Sequence, residues 1–208
     1  MALTALEIIS AGRDVLVGAA AVTTAVVAVV GLRKWREELR GKTEFEIARN
    51  LLRSAYKLRD EIHMCRNPFY SAHEFPDSYY ADGPGVRRSA KAEADGWSHV
   101  YNNRYKPVIA AIREFDTHTV EAETLWSSEV RTKTEALRQC VRELQTAMEA
   151  MVSNYADGGR TFQADADFGK EMRETTYGTP SDANNKLSTK IRAAVQGIED
   201  TVRPHLKR

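Results

Sequence analysis

An uninterrupted run of 18 uncharged residues, Val15 to Leu32, sets the first constraint on how this chain can fold. It holds seven Val, five Ala, two Leu, two Gly and two Thr. As an α-helix the run would measure about 27 Å, against a bilayer hydrocarbon core of about 30 Å. Val, Leu and the absence of Asp, Glu, Lys and Arg favour insertion, whereas Ala and Gly contribute little. A buried core helix of a soluble protein would show a polar stripe, and the only polar side chains in the run are Thr23 and Thr24. A secretory signal would place positive charge before the apolar run and a small-residue cleavage site after it. The order here is reversed: Glu7, Arg13 and Asp14 precede the run, and Arg33, Lys34, Arg36, Arg40 and Lys42 follow it. Residues 15–32 therefore read as a transmembrane helix. The positive-inside rule puts a short N-terminus, residues 1–14, outside and residues 33–208 in the cytoplasm, with Trp35 where an interfacial anchor is useful.

Within the run, Ala20, Thr24 and Ala28 recur every four residues. Small residues at that spacing let helices approach closely in lipid, so this face is the candidate for packing a homo-oligomer together.

Beyond the run the pattern is helical throughout. Gly41 suits a helix end, and Thr43 with Glu46 matches a capping box, so a new helix is expected from there to Asn67 and Pro68. Its apolar face is Ile47, Leu51, Ala55, Leu58, Ile62 and Cys65, opposite Arg49, Arg53, Lys57, Asp60 and Glu61. Residues 67–95 read as a long loop broken by Pro68, Pro76 and Pro84, with Gly83 and Gly85 around the last. Five of its aromatics, Phe69, Tyr70, Phe75, Tyr79 and Tyr80, point to packing over the core and make it the first place to seek a recognition surface.

Trp97, Tyr101, Tyr105, Val108, Ile112 and Phe115 give the next helical face. Pro107 either kinks this helix or begins a new one. After Asp116, Thr117 or Thr119, candidate caps, another helix should reach Tyr155, with Leu137, Val141, Leu144, Met148, Met151 and Tyr155 forming a coiled-coil-like seam. That seam serves an intramolecular bundle or a dimer equally well. Residues 157–184 read as a second loop with a short helix around Phe168 and Met172. The final helix aligns Leu187, Ile191, Ala194, Ile198 and Val202 before Pro204. No β-branched run alternates with polar residues outside the apolar stretch. The expected fold is all-α: an N-terminal transmembrane helix followed by an antiparallel helical bundle with a long aromatic-containing loop.

The search for chemistry yields no catalytic residue, cofactor site or metal site. His63 and Cys65, with His73 and Glu74 nearby, have poor ligand spacing, since residues two apart on a helix face different ways. Cys65 is expected in the core and His63 at the surface. Asp165 and Asp167 lack the further ligands of a calcium loop and read as solvated. The Gly-containing turns DGPG and DGGR lack the Lys and Ser/Thr of a phosphate cradle. No Ser, Cys or Thr stands in a nucleophile motif, so the chain reads as a non-enzyme. A net charge of +1 gives no broad surface for nucleic acid, and two cysteines give no disulfide framework.

The segment WREELRGKTEFEIARNLLRSAYKLRDEIHMCRNPF, following the apolar run, resembles a group of uncharacterised bacterial single-pass membrane proteins with an N-terminal anchor and a helical cytoplasmic domain. The resemblance covers about the first third of the chain and implies a bacterial inner-membrane setting without an activity. The expected role is a membrane-anchored interaction or assembly protein whose partners are the lipid bilayer, a protein and further copies of itself. The alternative is an oligomeric membrane effector whose span perturbs or permeates the bilayer in response to a cytoplasmic signal.

Overall fold

The computed structural model of the chain describes residues 5–80 and 88–206. Helices α1 (Ala5–Cys65), α2 (Ala90–Ala156), α3 (Arg160–Ala164), α4 (Ala166–Thr176) and α5 (Lys186–Val202) follow one another, with short 3-10 turns at Ala72–Glu74, Asp77–Tyr80 and Arg203–Leu206. No strand occurs among the described residues, so the molecule is all-helical. Gly83, Pro84 and Gly85 lie outside the described residues. The chain divides into two compact units, one comprising the residues up to Phe45 and the other Glu46–Lys207.

The first unit is helical throughout its described residues, 5–45. Its most apolar 18-residue window has a mean hydropathy of 2.0, none of it is buried, and the helix is long and apolar enough to cross a membrane. Every side chain from Leu16 to Thr43 is exposed. The hydroxyls of Thr23 and Thr24 donate to the carbonyls of Ala19 and Ala20, each at 2.9 Å, so both polar groups are satisfied inside the helix.

The expected break at Gly41 does not occur, because α1 runs through it. Thr43 does not cap a new helix; its hydroxyl donates back to the Leu39 carbonyl at 3.1 Å. Glycine in a helix interior costs about 1 kcal/mol relative to alanine. Two i,i+4 ion pairs straddle the position, Glu38–Lys42 at 3.2 Å and Arg40–Glu44 at 2.8 Å, and with the helix formers around them they offset that cost.

In the second unit, Ala48, Leu51, Ala55, Leu58, Ile62 and Cys65 of α1 are buried, while Arg49, Arg53, Lys57 and Asp60 are exposed. Spacings of three and four residues place these two sets on opposite sides of a helix. Ile47, expected on the apolar face, is only half-buried, and Ala48 takes its place in the core.

Helix α2 is continuously helical from Ala90 to Ala156, yet its ends meet. Trp97 stacks on Tyr155 with ring centroids 5.2 Å apart, the Tyr105 hydroxyl donates to Gln145, and Arg138 pairs with Asp116 at 2.7 Å. A straight helix would hold Trp97 and Tyr155 about 87 Å apart. The contacts therefore require α2 to fold back, and their pairs centre near Trp126, giving two limbs that run in opposite directions. Neither Pro107 nor the segment from Asp116 to Thr119 ends the helix. Thr117 and Thr119 return their hydroxyls to the carbonyls of Arg113 and Phe115 and cap nothing.

Other cross-links define the neighbours of each element. Lys57 binds Glu114 at 2.7 Å, and Arg104 donates to the Asn67 carbonyl, so α1 and the first limb of α2 run oppositely. Tyr56 donates to Glu199 and Arg66 to Ser188, which does the same for α1 and α5. Lys190 binds Glu143 at 2.8 Å and Gly197 lies beside Lys133, placing α5 along the second limb. Of the seam residues, Leu137, Val141, Leu144, Met148 and Met151 are buried within the chain's own core, together with Phe115, Leu187, Ile191 and Ile198, and Tyr155 is half-buried against it. Each large apolar side chain buried in this way contributes about 1.5–3 kcal/mol.

Two connections are shorter than their patterns suggest. Helix α2 begins at Ala90 with Ser89 as N-cap, accepting from the Ala92 amide, so the expected loop ends before residue 95. Helices α3 and α4 occupy much of 157–184. Asp165 is no idle loop carboxylate: it N-caps α4 by accepting from the Phe168 amide at 2.9 Å. Gly158 and Gly159 adopt φ of 72° and 89°, the left-handed region where glycine carries no Cβ penalty, and Asp157 accepts from the amides of Gly159, Arg160 and Thr161 across that turn.

Candidate functional site

Helix α1 ends at Cys65 because Asn67 and Pro68 follow. What lies past that end is an aromatic cluster built from four parts of the second unit. Tyr70 meets Trp97 edge-on at 4.9 Å, Tyr177 at 5.9 Å and Tyr101 at 6.4 Å. Phe75 stacks on Tyr79 at 4.4 Å and meets Trp97 edge-on at 5.1 Å. The hydroxyls of Tyr101 and Tyr177 lie 2.6 Å apart. Ring pairs of this kind add about 0.5–1.5 kcal/mol beyond the area they bury.

Two arginines fasten the connecting segment over the cluster. Arg104 donates to the carbonyls of Asn67 and Phe69, pairs with Glu74, and lays its guanidinium 3.9 Å from the centroid of the Tyr70 ring. This pairing holds the Glu74 carboxyl below its usual range. Arg88 donates to the Tyr79 carbonyl at 2.7 Å and lies 4.1 Å over that residue's ring. Gly96 belongs to the same joint: a Cβ there would meet Tyr79 Cδ2 at 2.2 Å, so only glycine lets the aromatic turn approach α2 this closely.

The expected recognition residues thus separate into two groups. Tyr70, Phe75 and Tyr79 are drawn into the cluster, whereas Phe69 is 79% exposed and Tyr80 is 44% exposed. Met64 on the last turn of α1 is 69% exposed near them in sequence. Ala20, Thr24 and Ala28 lie in the first unit, all exposed.

Arg66 is the residue that sequence patterns miss. Its side chain is 0% exposed and ties three elements together. Nε donates to the Thr175 carbonyl, Nη1 to Ser188 Oγ, and Nη2 to Asn185 Oδ1 and to the carbonyls of Glu174 and Tyr177, all within 2.8–3.3 Å. Its acceptors are the open carbonyls at the C-terminal end of α4 and the N-cap region of α5. A cation suits a helix C-terminus, and the planar fork meets several acceptors at once. Burial pulls Arg66 down to about 10, which still leaves it cationic at neutral pH. Gly178 is small for the same reason, since a Cβ there would lie 2.5 Å from Arg66 Nη2.

His63, expected at the surface, is half-buried, and its Nδ1 is enclosed without a hydrogen-bond partner. Burial, then the cations Arg66 and Arg59, lower its pKa below the ordinary 6.5. It lines an open cavity of about 500 Å³ with Arg59, Arg192, Asp60 and Glu199. Cys65 sits in the core, where burial pushes its thiol to about 12; Cys140 is likewise raised to about 11. Neither is a thiolate near neutral pH. Burial also pushes the phenols of Tyr70, Tyr101 and Tyr155 well above their usual range, and that of Tyr79 to about 12. Among the described residues no three His, Cys, Asp or Glu side chains converge as metal ligands.

This end of the unit presents exposed Phe69 and Tyr80 on a backing of packed rings, edged by Arg88 and Arg104. Comparison with protein families, with curated proteins and with solved structures finds no match to the chain.

Proposed function

We propose that this chain is a single-pass, membrane-anchored interaction protein of the bacterial inner membrane. In this reading residues 15–32 cross the bilayer, the N-terminus lies outside, and residues 33–208 form a cytoplasmic antiparallel helical bundle. The bundle binds a protein partner through its aromatic end, with Phe69 and Tyr80 as the contacts most open to it. One observation carries the reading: from Leu16 to Leu32 every side chain is exposed and uncharged, while the chain's own core is complete without them. An apolar face of that extent needs an apolar environment, and lipid supplies it.

The anchor role is favoured over conduction by the state of the two threonines. Their hydroxyls are bonded within the helix, so neither requires a polar partner from a second helix or a water column. Self-association through Ala20, Thr24 and Ala28 is compatible with an anchor, and a crosslinker at position 24 reads it.

The test is photocrosslinking of the full-length protein in its native membrane from positions 69 and 80, combined with a reporter on the C-terminus. A discrete adduct with one protein and a reporter active only in the cytoplasm are expected. A reporter active outside the cell, or a purified monomer that captures nothing and turns over a substrate, would overturn the proposal.

A further inference from the structure

The residues just after the apolar run are ordered on one helix with it, since α1 continues without interruption through Arg33, Arg36 and Arg40. At 3.6 residues per turn these three lie within about 60° of one another around the axis and along about 10 Å of its length. All three are exposed. Among the described residues neither Arg33, Lys34 nor Arg36 has a carboxylate at ion-pair distance, whereas Lys42 and Arg40 are paired with Glu38 and Glu44. Arg40 is an exposed partner in that pair, and such a pair contributes little and yields readily to a stronger anion. Glu37 and Glu44 lie on the same side as the stripe, two carboxylates against three guanidinium groups, so positive charge prevails there. Trp35, at the same level on another face of the helix, is 57% exposed, an indole placed for the level of the headgroups.

A stripe of guanidinium groups is a specific device. The planar fork matches phosphate oxygens in pairs, which a lysine ammonium does not do. A zwitterionic headgroup presents its own cation beside the phosphate, while an anionic one does not. We infer that Arg33, Arg36 and Arg40 form a binding stripe for the phosphate groups of anionic phospholipids in the leaflet that the helix leaves at Leu32. The inference rests on the reading that residues 15–32 cross the bilayer, and it adds the lipid class that the protein selects.

The experiment uses the full-length protein in mild detergent, titrated with phosphatidylglycerol or phosphatidylcholine and read by native mass spectrometry. Wild type should retain phosphatidylglycerol in preference to phosphatidylcholine by on the order of tenfold or more. Arg33→Gln with Arg36→Gln should bring the preference close to one, while Arg49→Gln with Arg53→Gln, also exposed on α1, should leave it intact. Equal preference in the first variant and wild type, equal loss in both variants, or equal binding of water-soluble glycerol phosphate would overturn the stripe. Alkaline washing of reconstituted vesicles separates this failure from that of the underlying reading. Retention of wild type and both variants is expected; release of wild type would sink the membrane span itself, and the stripe with it.

Discussion

Arg66 shows how much a single side chain decides here. It takes the last carbonyls of α4 and the cap of α5 in one fork, so truncation strips the charged donor from all of them at once, leaving the Glu174 and Tyr177 carbonyls to Asn185 Nδ2 and Asn185 Oδ1 to the Ser188 amide. Hydrogen bonds to a charged group contribute about 1.5–3 kcal/mol each, and Arg66→Ala is expected to lose about 3 kcal/mol or more in urea unfolding. Arg66→Lys should recover only part, because an ammonium cannot reach acceptors on both sides of the guanidinium plane. His63 makes a different prediction. Its folded pKa lies below 6.5, so between the two values the unfolded chain binds more protons than the folded one. Stability from this residue is therefore intact above 6.5 and falls as pH drops through that value toward the folded pKa. The cations Arg59, Arg66 and Arg192 face the ring from α1 and α5, with Asp60 opposing them. His63→Gln should flatten the loss of urea midpoint between pH 7 and pH 5; an unchanged slope would assign it to other groups.

At the scale of elements, two helices continue where local rules would stop them. Gly41 lies in open space with no neighbour within 4 Å of a built Cβ. Because α1 is continuous there, Gly41→Ala should remove only backbone freedom and stabilise by up to about 1 kcal/mol, seen as slower amide exchange over residues 40–45. A helix ending at Gly41 in the left-handed region would give the opposite sign. In α2 the reversal near Trp126 carries a distance prediction. Asn102 and Glu149 line one groove of about 640 Å³ between the limbs. Spin labels there should report the limb spacing of about 10 Å plus label reach, rather than the ~70 Å of a straight helix. No glycine or proline marks the turn in "TLWSSEV"; the pairing of distant faces sets it.

At the scale of the whole molecule, the division at Phe45 and Glu46 separates two kinds of stability. The second unit is held by a core drawn from α1, α2, α3 and α5, and none of the described side chains of the first unit is part of it. Urea should therefore unfold the full-length protein in lipid in two stages. Fluorescence from Trp97 and Trp126 should change in the first, while helical circular dichroism from the apolar segment persists after it. A single transition that removes all helicity at once would contradict independent units. Trp35→Phe should leave the first transition where it is.

Sequence by itself determined the helical class and the exposed apolar run. It also determined the buried faces of α1 and α5 and the seam that fills the core. These are periodicities of three and four residues within one element, and local geometry fixes which side of a helix such residues share. The tertiary structure alone decided where α2 turns back, that Tyr70 and Phe75 enter a cluster while Phe69 stays outside, and that Arg66 is buried. Arg66 reads as one more solvated cation after an apolar face, because its five acceptors lie more than 100 residues away along the chain. Nothing in the local pattern encodes which carbonyls a distant helix end will leave open, and only folding brings donor and acceptor together.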